Sequence, residues 1–409
     1  MPHAEWTSEL EQWLREQAAA AGFDTAGIAS VDTPDSRAHQ VHAERFAAWV
    51  DAGRAGEMDY LKRRDEHGVL LRSDVQVAIP WARSVIVCAL NYNAPGPLSI
   101  DPAPPDAGWI ARYAWSGRPA NPGNSESQQS EELLPTDYHD QLLARLRQIE
   151  SALHDRLPCE TRCYVDTGPI VERAIAATAG VGWIGKNTCV INQGLGSWLL
   201  LGVIVTSIPL AQSVEFPIAA DRCGSCTRCI DACPTDALIA PHQMDASRCI
   251  AYLTIEKKGD IPEELRAPIG RHVFGCDICQ DVCPWNRKAR NRESKTRSAP
   301  AAPGEGMLPR PELINPALEW LAAMDAAEFK RLFKGSPLER TGPKRLRRNI
   351  AIAMGNSGEE KFIPQLNAWA ETGDPVLAEA AAWAIKRIDD GDAETMISND
   401  RQLNDNLTC

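Results

Sequence analysis

Residues 223–234 read Cys-Gly-Ser-Cys-Thr-Arg-Cys-Ile-Asp-Ala-Cys-Pro, and residues 276–284 read Cys-Asp-Ile-Cys-Gln-Asp-Val-Cys-Pro. Two-residue gaps let three thiolates converge on one cubane, and a further cysteine followed by proline is sent to a second cluster. The first run holds four cysteines and the second three, so the second lacks a ligand that Cys249, between the runs, can supply. The spacing therefore predicts two [4Fe–4S] clusters. Cys223, Cys226, Cys229 and Cys283 would hold the first, and Cys233, Cys249, Cys276 and Cys279 the second. Zinc also accepts four cysteines, but a crossed Cys-Pro pattern has no reason to occur in a zinc ribbon. The Cys-x3-Cys-x2-Cys triplet of a radical site is absent; Cys159 and Cys163 have the first gap only. Cys88, Cys159, Cys163, Cys189 and Cys409 read as inert, Cys88 as a small hydrophobe in a core strand.

Working outward, 409 residues exceed one ordinary core and predict two or three domains. Apolar content of 44% and charged content of 24% are those of a globular protein. The first sixteen residues are polar and charged, without the apolar stretch of a secretory signal. The longest apolar run, Trp198 to Val205, is interrupted by Gly202 and falls far short of the ~20 residues of a membrane helix. A cytoplasmic protein with no membrane contact is expected, its thiols reduced and available to metal. Net charge is −12, yet residues 330–348 carry +7 and residues 287–297 carry +5, leaving about −24 elsewhere. An acidic body with two basic stretches points to a local anionic partner.

The chain up to about Pro209 reads as α/β. Helices are predicted over Trp6–Ala21, Tyr138–Leu157 and Val171–Ala179. Strands are predicted over Thr25–Val31, Ser84–Leu90 and Ser197–Thr206, with a strand end at Cys163–Asp166. Residues 94–107 and 116–135 read as surface excursions, the second partly disordered. Arg345–Met354 and Val376–Ile388 read as paired amphipathic helices resembling one HEAT-type repeat. The domains expected are 1–210, an α/β catalytic domain; 211–290, a two-cluster ferredoxin-type domain; 291–311, a basic linker; 312–390, a helical HEAT-like segment; and 391–409, a polar tail.

Some 210 residues precede the cysteines, so electrons need a destination. The densest candidate is residues 164–187, YVDTGPIVERAIAATAGVGWIGKN. Asp166 lies at a strand end followed by a Thr-Gly-Pro turn and a helix, where α/β proteins place ligands. A plain turn or N-cap aspartate is the alternative. Gly180, Gly182 and Gly185 let backbone approach a large cofactor, and Lys186 and Asn187 offer donors to it. No Gly-x-Gly-x-x-Gly fingerprint follows a strand here.

These stretches, with VDTGPIVER, GWIGKN, CPTDAL after the first cysteine run and RRNIAIAMGNSG near the C-terminus, resemble the epoxyqueuosine reductases. These are cobalamin-dependent iron–sulfur enzymes of tRNA queuosine synthesis, related to reductive dehalogenases. The resemblance runs over most of the chain from about Gly53. It implies a cobalamin-binding α/β domain, a two-cluster ferredoxin domain and a HEAT-like segment. It also implies two-electron removal of the epoxide oxygen at the tRNA wobble position. Asp166 falls on the family's proton donor, its acidity expected to be weakened by burial against the corrin. Arg72 falls near a cobalamin-contacting arginine, and Tyr113 and His139 are expected to border the same pocket. No Asp-x-His-x-x-Gly motif is present, because Asp65-Glu66-His67 is followed by Leu70 where glycine is needed. No histidine ligand to cobalt is therefore expected. The segment from Ser116 to Thr136 is longer than usual for the family.

With RNA as substrate, Lys330, Lys334, Lys344, Arg345, Arg347 and Arg348 become candidate phosphate contacts, together with Arg331, Arg340 and the stretch from Arg287 to Arg297. A flavodoxin or ferredoxin is the expected low-potential donor, and a monomer the default. Two other functions stay open on sequence alone: a dehalogenase-like enzyme acting on a small molecule, and an electron-transfer subunit without catalysis.

Overall fold

The β-branched run of residues 84–91 cannot expose either face to water, so it must be covered on both sides by other elements. In a computed structural model, which describes residues 5–31, 37–120, 133–210, 219–289 and 307–391, it does so within a four-stranded sheet. The strands are β1 (Thr25–Ser30), β2 (Ser84–Asn91), β3 (Thr161–Tyr164) and β4 (Leu199–Thr206). Their order is β1-β2-β4-β3 and every neighbouring pair is antiparallel. Ile28 lies opposite Ile86, and Val85 opposite Val205.

Period-two alternation assigns the faces. Ile86, Cys88 and Ile204 pack with α1 (Ser8–Ala20) and α3 (Tyr138–Arg156). Leu142, Leu146, Ile149 and Leu153, at the spacing of one helix face, are fully buried there. Each contributes roughly 1.5–3 kcal/mol of burial. Gly202 is what lets α3 sit so close: a Cβ on it would lie 2.9 Å from Leu146 Cδ1. Val85, Val87 and Val203 face the other way, against Ile170, Ile175 and Ala176. Of these, Ile175 and Ala176 belong to α4 (Glu172–Thr178). A further helix, α2 (Arg37–Asp51), is absent from the sequence-based expectation.

Downstream lie α5 (Ile250–Ile255), α6 (Ala326–Phe333), α7 (Gly342–Ser357), α8 (Ile363–Ala370) and α9 (Pro375–Asp389). Asp374 caps α9 by accepting from Val376 N, with Pro375 at the first helical position. Ile350, Ala353, Met354, Leu366, Ala380 and Ala384 form one continuous core with Ile250, Leu253, Val273 and Phe274 of the cysteine-bearing segment. Ile110 and Trp115 of the N-terminal part belong to it too. The C-terminal helices thus have no core of their own. The long stretch after Ser116 begins and ends as paired strands: Gly117 lies opposite Pro135, and Leu308 pairs on the other side of Gly117. Residues 121–132, most of the linker at 290–306 and the tail from 392 fall outside the described residues, as does the basic stretch beyond Ala289.

Candidate active site

β3 ends at Tyr164, and Asp166 follows in a left-handed conformation, φ 54°. Aspartate tolerates this region better than most residues, and the turn swings its carboxyl towards the start of α3. There Tyr138 donates its hydroxyl to Asp166 Oδ2 at 2.5 Å. His139 Nε2 lies 3.7 Å from the same oxygen. Asp137, the N-cap of α3, accepts from both the His139 backbone N–H and ring Nδ1, at 2.9 and 2.6 Å. Burial pushes the Asp137 carboxyl up, but these bonds outweigh it and hold it below the usual range. The Arg340 guanidinium lies against the same ring, its Nη2 2.6 Å from Nδ1 and 2.5 Å from Nε2. Arg340 arrives from the turn Pro337–Thr341, just before α7, so the C-terminal segment completes this constellation. The phenols and carboxylates around it outweigh its burial and hold its positive charge firmly.

The Asp166 side chain is 50% exposed. The burial expected from the sequence is not supplied by protein alone; only a substrate or cofactor covering the site can add it. Tyr113 packs edge-on against Tyr138, ring centroids 5.7 Å apart, and also meets Phe274. Burial drives its phenol well above the usual range. Its ring backs Tyr138, the partner of Asp166.

Beside this constellation opens a cavity of about 920 Å³. Its walls come from α2 (His42, Arg45, Phe46, Trp49), from Leu61, Arg72 and Val75, from residues 170–175 and from residues 241–244. Arg72 is anchored to the Ile170 carbonyl at 2.9 Å. Glu172 projects here with Oε1 sealed from solvent and without a hydrogen-bond partner. Burial, then the nearby Asp166 charge, raises its carboxyl to about 7. Trp183 also lines the cavity, and its indole meets the Cys223 thiol. Apolar walls, convergent polar atoms and this volume suit a large organic cofactor. Arg173, held to the Thr188 carbonyl at 2.9 Å, shares the wall. Sequence reading missed α2, Glu172 and Arg173, and it read Arg340 as a phosphate contact and not as a neighbour of His139. The apolar spacing of Phe46, Trp49 and Val50 was the available sign of α2.

Trp183 also touches the cysteine centre, stacking edge-on with Trp285 at 5.2 Å, and Cys223 packs against the same small cluster. The single-turn helices Arg228–Asp231 and Ile278–Asp281 pack on each other. That juxtaposition brings the end of each cysteine run to the other. Burial raises the Cys229 thiol to about 12, and the next contributions come from Cys283, Cys223 and Cys226. Cys276 is pushed well up by burial and then by Cys249, with Cys233 also nearby. Cys279 feels Cys276 and Cys249, but its largest contribution is a hydrogen bond with Cys189. Cys229 thus lies near Cys283, Cys223 and Cys226, and Cys276 lies near Cys249 and Cys233, with Cys189 beside Cys279. Among the described residues, no three His, Cys, Asp or Glu groups converge tightly enough to hold a single metal ion.

Lys186 and Asn187 serve this centre and do not line the cavity. Lys186 Nζ donates to the Gly224 carbonyl at 2.7 Å, and Asn187 Nδ2 to the Cys279 carbonyl at 3.2 Å. Asn187 is 3% exposed. Both brace the backbone of cysteine loops.

The basic candidates divide as well. Lys330, Arg331 and Lys334 emerge exposed from the end of α6 and line an open groove with Arg118. Lys344 is exposed, 3.7 Å from Asp374. Arg347 donates to the Met324 carbonyl, and Arg345 to the carbonyls of Thr341 and Ile255. Arg348 is 1% exposed, its guanidinium consumed by the carbonyls of Leu253, Lys257 and Gly259 and by Asn349 Oδ1. It has nothing left for a phosphate, and Arg345 is largely committed in the same way. No helix among the described residues is long and apolar enough to cross a membrane.

Residues 72–167 match the family described as "Epoxyqueuosine reductase QueG, DUF1730", and residues 222–286 match the "4Fe-4S double cluster binding domain". The chain is 36% identical to the epoxyqueuosine reductase of Xanthomonas campestris, covering 91% of this chain and 94% of that one. It is 34% identical to that of Escherichia coli, covering 92% and 89%. Among solved structures it is similar to an epoxyqueuosine reductase bound to an epoxyqueuosine-modified tRNA-Tyr stem loop, with TM-score 0.73 and 31% identity over 93% of this chain and 90% of that one. It is equally similar to the Bacillus subtilis enzyme with its catalytic aspartate loop swung out of the active site, with TM-score 0.72 and 31% identity over the same shares.

Proposed function

The chain belongs to the epoxyqueuosine reductase family, and from that premise we propose how its own residues carry out the family's reaction. It is an oxidoreductase that reduces epoxyqueuosine in tRNA to queuosine. Two electrons and two protons convert the epoxide to an alkene and water. Asp166 is the proton donor: its carboxyl protonates the epoxide oxygen as the C–O bond breaks, so no alkoxide has to form unaided. Tyr138 holds that carboxyl at 2.5 Å, His139 stands behind it, and Asp137 and Arg340 fix the imidazole. The observation that carries this reading is the left-handed Asp166 turn, whose carboxyl accepts from the Tyr138 hydroxyl four residues before Ile170 on the wall of a 920 Å³ cavity.

Cobalamin fits that cavity by volume, by its apolar walls and by the unpartnered Glu172 oxygen. Arg72, Arg173 and Glu172 would hold it. Bound there, it would supply low-potential reducing chemistry for the C–O bond. Two [4Fe–4S] clusters on Cys223, Cys226, Cys229 and Cys283 and on Cys233, Cys249, Cys276 and Cys279 would feed it from a flavodoxin or ferredoxin. Lys330 and Lys334, with Arg118 and Arg331, would take RNA phosphates, and Lys344 would extend that surface. In this reading, residues 1–210 are the catalytic domain, 211–290 the cluster domain and 312–390 a HEAT-like RNA-binding segment.

The test is anaerobic reconstitution with iron, sulfide and cobalamin, a low-potential reductant and tRNA bearing epoxyqueuosine. Digested nucleosides are then analysed by mass spectrometry. Queuosine is expected from the wild-type protein, with the rate reduced at least 100-fold in Asp166→Asn and Asp166→Ala. Full cluster and cobalt content without any queuosine would reject the reading.

A further inference from the structure

The loop before Leu61 is unusually well fixed. Gly56, at φ 55°, lies so close to Tyr252 that a Cβ would come within 2.5 Å of its ring. The Tyr252 hydroxyl accepts from Glu57 N at 2.8 Å, and the Glu57 carboxylate pairs with Lys257. Ala246 N donates to the Arg54 carbonyl at 3.0 Å. The turn Asp59–Leu61 that follows therefore stands on a rigid base, part of it the cysteine-bearing segment.

From this turn Leu61 enters the cavity wall, whereas Tyr60 points out and is 46% exposed. Single exposed aromatics are ordinary; this one is held in place. The Arg72 guanidinium lies 5.5 Å from its ring centroid, and Arg72 is itself tied to Ile170 and lines the cavity. The charges of Asp166 and Arg340 both reach its phenol. A pre-positioned ring, backed by a cation, thus stands at the mouth of the site.

We propose that Tyr60 is a stacking platform for a nucleobase of the anticodon loop next to the nucleotide being reduced. This rests on the reading of the site as a tRNA reductase. Presenting a modified base to a recessed site removes it from its stack, at a cost of a few kcal/mol. An aromatic face beside an arginine is the surface on which unpaired bases recover stacking, whatever their identity. The ring lies outside the cavity assigned to the cofactor, so its open face is left for RNA.

The experiment uses enzyme loaded with clusters and cobalamin and a fluorescent anticodon stem loop bearing epoxyqueuosine. Dissociation constants are read by anisotropy, and cobalamin affinity separately by absorbance titration. Tyr60→Ala and Tyr60→Leu should weaken RNA binding roughly 5- to 150-fold, the equivalent of ~1–3 kcal/mol of stacking. Tyr60→Phe should bind within about twofold of wild type, since the ring and not the hydroxyl makes the contact. Iron content and cobalamin affinity should not move. Unchanged RNA binding in the Ala and Leu variants would overturn the proposal, as would loss of cobalamin instead of RNA. A Phe variant as weak as the Ala variant would also overturn it by implicating the hydroxyl. Failure of the wild-type enzyme to bind the stem loop would instead sink the tRNA reading itself.

Discussion

Replacing Arg348 by Met keeps the aliphatic stem and removes the charged fork. Three main-chain carbonyls, those of Leu253, Lys257 and Gly259, then lose their donor in a place where Arg348 is 1% exposed. Each orphaned buried acceptor costs about 1–3 kcal/mol unless water reaches it. Relief from burying a guanidinium offsets part of the loss. The net destabilisation expected is about 3–5 kcal/mol. For a cooperative unit of some 200 residues, that lowers the melting temperature by roughly 6–20 °C. The assay is thermal unfolding of the cluster-loaded protein by circular dichroism. Stem-loop affinity is measured alongside over a salt series at a temperature where the variant is folded. Affinity per folded molecule and its salt slope should match wild type. An unshifted melting temperature with affinity down several-fold and a log–log salt slope smaller by about 1 would refute the reasoning, because that is the signature of a lost phosphate contact.

The double variant Lys330→Ala/Lys334→Ala should do the reverse: the same melting temperature within about 2 °C, weaker RNA binding and a salt slope reduced by about 1–2. Glu172→Gln should flatten the pH dependence of stability in protein purified without cobalamin. Between its ordinary 4.5 and about 7, native Glu172 keeps a proton that the unfolded chain has released, so wild-type stability falls as pH rises through that window. At pH 8 the Gln variant should therefore be more stable by up to about 3 kcal/mol in urea unfolding; equal stability there would refute the buried-carboxyl account. Gly202→Ala should cost about 1–3 kcal/mol, because the new methyl meets Leu146 Cδ1 at 2.9 Å and that fully buried side chain must shift; a melting curve identical to wild type would contradict that packing.

Much of this architecture is legible in the sequence where one interaction dominates locally. Continuous β-branched runs gave β2 and β4, and the 3.6 period of Leu142, Leu146, Ile149 and Leu153 gave α3. The double cluster domain is legible from cysteine spacing, because a cubane needs thiolates at short intervals. What escapes is direction. Lys186 and Asn187 follow the glycine-rich turn as expected, but nothing local says that their side chains turn to the cysteine loops. A basic run reads as a solvated face. Yet α7 is buried on nearly all sides, and burial of Arg348 depends on carbonyls some ninety positions away. The approach of Arg340 to His139 joins residues 201 apart. Such contacts are fixed by the fold as a whole and leave no periodic trace.

The common core of the cysteine-bearing segment and the last helices has a consequence for synthesis. Every cysteine of the two runs has been translated once the chain reaches residue 283, but Val273 and Phe274 find their partners Ile350, Ala353 and Met354 only when α7 has emerged. A ribosome-bound or truncated chain would therefore present a complete set of ligating thiols on an apolar floor without its cover. Losing the last hundred residues would leave Val273 and Phe274 without Ile350, Ala353 and Met354, so the floor under the cysteine loops depends on chain made last.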